Sequence, residues 1–123
     1  MITEDYVSFE TAKLLKERGF NKDTYTMSMY DENGEAKDVL LLKVGEEPVL
    51  RPTLQMTMKW LREVHSLYID IVTSFSQDGI CYTFSCFNTM DLIQGTKGTS
   101  YHEYQTYEEA AEEAVLYCLQ NLI

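Results

Sequence analysis

The sequence predicts a two-layer α+β domain: an antiparallel sheet of four to five strands with three helices packed on one face, in the order α-β-β-α-β-β-(β)-α. Three observations predict it. Apolar residues recur at helical spacing in three separate segments, and between those segments the period drops to two. The period-two runs are joined by short turns, which connect antiparallel neighbours. One-sided helices then need a sheet face to cover. At 123 residues the chain suits a single domain, 1–123, with one core.

The first helix is SFETAKLLKERGF, with Ser8 as N-cap and Gly19 at the left-handed stop position before Phe20. Thr11, Ala12, Leu14 and Leu15 share one side, with Phe9 at its margin, and Glu10, Lys13, Lys16 and Glu17 share the other. A hairpin follows. In YTMSMY, Tyr25, Met27 and Met29 alternate with Thr26, Ser28 and Tyr30. DENGE then supplies Asn33-Gly34, a strong hairpin signal, and VLLLKV (39–44) returns as the paired strand.

The second helix lies within 52–65, entered through Pro52 or Thr53. Leu54, Met58, Leu61 and His65 fall within about 60° of arc, with Val64 and Trp60 extending that face. LYIDIVTSF then sets Leu67, Ile69 and Ile71 against Tyr68, Asp70 and Val72 on opposite faces. SQDG turns the chain, and ICYTFSCF returns it with Ile80, Tyr82, Phe84 and Cys86 inward. Residues 88–99, NTMDLIQGTKGT, form the longest irregular stretch, and SYHEYQ is the candidate fifth strand. In TYEEAAEEAVLYCLQNLI, Thr106 and Glu109 have capping-box spacing, and the early glutamates suit the positive end of the helix dipole. Ala110, Ala111, Ala114, Val115, Cys118 and Leu122 form its buried stripe.

The formal net charge is −10, from 10 basic and 20 acidic side chains. Such a field repels phosphate backbones and anionic membranes, so direct nucleic-acid and membrane binding are disfavoured. No apolar run approaches the roughly 20 residues that cross a bilayer. MITEDYVSFE has neither a basic nor an apolar signal region, so a cytoplasmic location is expected. The three cysteines, 81, 86 and 118, are too few and odd in number for a disulfide framework, and read as buried thiols.

The candidate reactive groups do not assemble into a site. Glu63 points roughly 160° away from His65 on the helical wheel, so the two form no acid–base pair. A histidine in the last turn instead suits the helix carbonyls and dipole. Cys81 and Cys86 are five apart on a strand and face opposite ways, and there is no Cys-x-x-Cys or His-x-x-x-His, so no metal or cofactor is expected. Gly95-Thr96-Lys97-Gly98-Thr99-Ser100 departs from a P-loop because Lys97 is followed by glycine and no helix starts there. No catalytic residue is assigned. What remains is surface: the sheet face away from the helices would carry Tyr68, Val72, Phe87 and Tyr30, a candidate interaction surface for a protein partner or a second copy.

Together, SFETAKLLKERGF, RPTLQMTMKWLREVHSLYIDI and TYEEAAEEAVLYCLQNLI resemble a family of short uncharacterised proteins from phages, prophages and mobile elements of gut Bacteroidetes. The resemblance spans most of the chain in order. It implies a bacterial cytoplasmic setting and an accessory role in phage–host biology, and it carries no catalytic residue or cofactor. The expected function is therefore a non-enzymatic protein-binding or self-associating module. Two alternatives stand beside it: an acidic nucleic-acid mimic that occupies a host DNA-binding protein, and a small-molecule enzyme using His65 or His102.

Overall fold

The computed structural model describes residues 1–20, 28–37, 49–88, 98–99 and 102–123, which fall into two compact units, Met1–Thr53 and Leu54–Ile123. The chain is α+β, with α1 (Phe9–Glu17), β1 (Met29–Tyr30), β2 (Ala36–Lys37) and β3 (Val49–Leu50) in the first unit. The second holds α2 (Leu54–His65), β4 (Leu67–Ser76), β5 (Gly79–Asn88), β6 (Gly98–Thr99) and α3 (Tyr107–Asn121). Instead of one sheet of four to five strands, there are two small antiparallel sheets, ordered β2-β1-β3 and β4-β5-β6. The expectation of three helices on one sheet face changes with it: α1 packs with β3, whereas α2 and α3 pack with β4 and with each other. The reason is hydrogen-bond connectivity, since β1 pairs on both sides within its own unit.

In the first unit, α1 starts where the Ser8 hydroxyl accepts the Thr11 amide at 3.2 Å. It stops in a Schellman motif: Phe20 N–H donates to the Leu15 carbonyl at 3.0 Å and Gly19 N–H to the Lys16 carbonyl at 3.3 Å. Gly19 supplies the required left-handed backbone, at φ 97°. Thr11, Ala12 and Leu15 are buried, as the wheel predicts, and Phe20 seals the end. The Asn33-Gly34 hairpin forms as a three-residue loop. Asp31 N–H donates to the Glu35 carbonyl at 2.9 Å, Gly34 N–H to the Asp31 carbonyl at 3.1 Å, and Gly34 is left-handed at φ 80°. The Asp31 carboxylate also accepts the amides of Asn33 and Glu35. The expected strand 39–44 and most of YTMSMY lie outside the described residues. β3, which the sequence did not signal, is too short to show a period and sits between Pro48 and Pro52.

In the second unit, α2 buries Leu54, Thr57, Met58, Trp60 and Leu61. Val64 corrects the wheel: its angle is suitable, yet it is 60% exposed because it lies in the last turn. Ser66, left-handed at φ 55°, ends the helix and delivers the chain into β4 one residue later. β4 and β5 pair without a bulge over their full length, from Leu67↔Asn88 to Ser76↔Gly79. Beyond β5, Gly98 and Thr99 pair with Cys86 and Ser85, and Tyr104 exchanges two backbone hydrogen bonds with Tyr82, at 2.9 and 2.8 Å. The fifth strand is thus at 98–99, with SYHEYQ contributing the Tyr104 bridge; residues 89–97 of the expected irregular stretch lie outside the described residues.

α3 begins at Thr106, whose hydroxyl accepts the Glu109 amide at 3.1 Å. Its buried stripe runs through Ala110, Ala111, Ala114, Val115 and Cys118 and ends at Leu119; Leu122 is the half-buried C-cap. The alanines bring the helix backbone close to the sheet, where the Cys86 thiol donates to the Ala114 carbonyl at 3.9 Å. No helix among the described residues is long and apolar enough to cross a membrane.

Candidate functional site: the open end of the long hairpin

Strand alternation sorts the β4–β5 hairpin into two faces. One carries Leu67, Ile69, Ile71, Thr73 and Phe75, opposite Asn88, Cys86, Phe84, Tyr82 and Ile80. This is the α3 face. Leu67, Phe84 and Cys86 are buried there, and the Phe84 ring lies 6.0 Å from Tyr117 and 6.3 Å from Tyr104. Tyr82 meets Tyr107 edge-on at 6.3 Å. The same face continues past the helix to its last apolar pair, and there the burial stops: Phe75 is 82% and Ile80 55% exposed, directly opposite one another in register. Ile80, expected inward, is therefore a correction. Its alternation is right, but the strands outrun the layer that would cover it.

The other face carries Tyr68, Val72 and Phe87, as the strand period predicts. Tyr68 and Phe87 are cross-strand partners, stacked at 5.8 Å with 16° between the rings, and each is half-buried. Val72 is 44% exposed, with the exposed Asp70 two residues before it. Tyr30 does not join them. It is buried in the first unit, where its hydroxyl donates to the Val7 carbonyl and its ring meets Phe9 edge-on at 5.4 Å. A short strand with packing on both sides defeats the alternation that had placed Tyr30 on an open face. The Arg51 guanidinium completes that cluster, 3.8 Å from the Tyr6 ring centroid and 5.5 Å from that of Tyr30, with one nitrogen donating to Ser28 at 3.3 Å. It acts as a cationic clip joining the N-terminal segment to β1 and β3.

Two histidines and three cysteines carry chemical potential. His65 meets the Trp60 ring edge-on at 4.7 Å, and its buried Nε2 has no hydrogen-bond partner among the described residues. Burial lowers its pKa below the usual histidine value. His102 lies edge-on to Tyr104 at 4.8 Å. All three cysteines are free and buried. A hydrogen bond shared with Cys118, and then burial, push the Cys86 thiol far up; burial, followed by the Glu103 carboxylate, raises Cys81. Raised thiols are protonated at neutral pH and are poor nucleophiles and metal ligands. Among the described residues, no three His, Cys, Asp or Glu side chains converge on a metal-sized space.

The sequence signals for Phe75 and Ile80 were present, as apolar residues flanking the SQDG turn. Their exposure depends on where the helices end across the sheet, which local periodicity does not encode. The geometry defines a class: a small α+β protein whose β4–β5 hairpin has an exposed apolar tip. The chain matches no protein-family model, no curated protein and no solved structure.

Proposed function

We infer that the chain is a non-enzymatic protein-binding or self-associating module that acts through the open end of the β4–β5 hairpin. The observation that supports this most is Phe75, a phenylalanine 82% exposed beside a 55% exposed isoleucine. Scattered exposed apolar groups are ordinary, but a cross-strand aromatic–aliphatic pair at the tip of a long hairpin is a compact anchor of the kind that enters a partner's pocket. A bacterial cytoplasmic setting and service to a mobile element accompany this reading, resting on the sequence resemblance.

The test compares baits. Wild-type chain, Phe75→Lys and Met56→Lys are immobilised and exposed to bacterial lysate, and captured proteins are quantified by mass spectrometry. Met56 is also exposed, on α2, so it controls for general stickiness. The expected result is a partner, or further copies of the chain itself, retained by wild type and Met56→Lys and lost with Phe75→Lys. Equal capture by all three baits would refute the assignment of the tip.

A further inference from the structure

β4 is an edge strand in the order β4-β5-β6, ten residues long and paired to β5 without a bulge. Its sequence, LYIDIVTSFS, contains no proline and no lysine, and Asp70 is its one charge. These are the devices that normally stop an edge from adding another strand. Here a single carboxylate stands alone.

The direction of the free backbone groups follows from Tyr82. Its N–H and carbonyl are both engaged with Tyr104, so they point away from β4. Thr73, opposite Tyr82, is therefore in a non-hydrogen-bonded pair with it, and its own N–H and carbonyl point to the outer edge. By alternation, those of Ile71 and Phe75 do the same. Among the described residues no strand pairs with that edge, and Asp70, Val72, Thr73, Phe75 and Ser76 are exposed, so the distal half is accessible from both faces.

We propose that β4 pairs edge to edge with β4 of a second copy, antiparallel about a two-fold axis through Thr73, joining the two sheets into one continuous sheet. This rests on the self-associating branch of the function inferred above. The register is chosen by chemistry. Centring on Thr73 places the exposed Phe75 opposite the partner's half-buried Ile71 twice over, and sets Val72 beside the partner's Ser74. Asp70 then faces the partner's Ser76, and the two Asp70 carboxylates stand about 20 Å apart along the strands, more than twice the screening length of about 8 Å at physiological salt. Centring on Asp70 would instead oppose like charges. Shifting toward Leu67 would use Leu67, which is already buried, and the half-buried Tyr68 and Ile69. The chosen pairing exchanges about six backbone hydrogen bonds, with matched threonines at the axis.

Seven paired residues cover much less than the roughly 1,600 Å² of a standard interface, so the dimer is weak and forms at high protein concentration. Because each copy carries a net charge of −10, added salt strengthens it. A complex with a basic partner would weaken under the same change.

Sedimentation equilibrium of the full chain tests this, at about 10 mM and about 150 mM salt, where the screening length falls from about 30 to about 8 Å. Wild type is expected to show a monomer–dimer equilibrium whose dissociation constant falls several-fold with salt. Thr73→Pro removes an outward N–H while sparing the ladder to β5, and Phe75→Lys places a charge at the contact; each is expected to weaken dimerisation by about tenfold or more. Circular dichroism confirms that each variant is folded, and either variant alone suffices if the other is not. Wild type monomeric at every concentration overturns the pairing, as does a dimer indifferent to both substitutions. In either case, Phe75-dependent capture of a different protein would leave the broader function standing.

Discussion

Truncating Phe75 and Phe84 separates what the fold needs from what contact with a partner needs. Both are phenylalanines on the same face of the same hairpin, yet Phe84 is 5% exposed and Phe75 82%. Burying a whole phenylalanine side chain is worth about 3 kcal/mol. Less than a fifth of Phe75 is covered, so Phe75→Ala is expected to cost about 0.5 kcal/mol at most. Phe84→Ala removes a ring packed beside Tyr104 and Tyr117 and leaves a cavity, which costs about 3–5 kcal/mol. Urea denaturation measures both. The single tryptophan, Trp60, is buried in the same unit as the hairpin, so its fluorescence reports the relevant unfolding. A loss above about 1.5 kcal/mol for Phe75→Ala would show that the ring is packed in the folded chain, and the tip would no longer be spare surface.

Two further outcomes test the local reasoning. Gly34→Ala should cost more than Gly19→Ala. Both glycines are left-handed, a penalty of about 1–2 kcal/mol for alanine. An added Cβ at Gly19 meets nothing within 4 Å, whereas at Gly34 it comes 2.8 Å from the Phe9 ring, which also pairs with Tyr30 and Lys13. The excess, about 1 kcal/mol, should vanish in a Phe9→Ala background when unfolding is followed by circular dichroism; its persistence would place the strain elsewhere. The second outcome concerns His65. Burial lowers its folded pKa below 6.5, so the unfolded chain binds the proton more tightly. The stability attached to neutral His65 is whole above the unfolded value and is lost as pH falls through the folded one. Between about pH 7.5 and about pH 5, His65→Gln should therefore lose less stability than wild type, and an identical slope for the two would contradict a desolvated histidine.

Much of the fold is legible because its causes are local. Ser8 and Thr106 cap their helices through hydroxyls three residues from the amides they accept, and Gly19 and Gly34 occupy the left-handed positions their turns demand. The hairpin of two ten-residue strands follows from period-two alternation on either side of SQDG, and it correctly puts Tyr68, Val72 and Phe87 on one face. The errors share a different cause. Val64 and Ile80 have the right angle or parity for the core and are exposed, because each lies past the end of its packed layer. Tyr30 is buried because Val7, Phe9 and Arg51 converge on it from distant parts of the chain.

By itself the sequence determined the three helices, the caps of α1 and α3, the two hairpin turns and the acidic charge. All of these depend on neighbours within a few residues or on simple sums. The tertiary structure alone decided that, among the described residues, the strands divide into two sheets, His65 sits against Trp60 without a partner for Nε2, and β4 lies at an edge with Phe75 exposed. Those outcomes depend on which distant backbone groups pair and where one layer ends over another, and no local period records that.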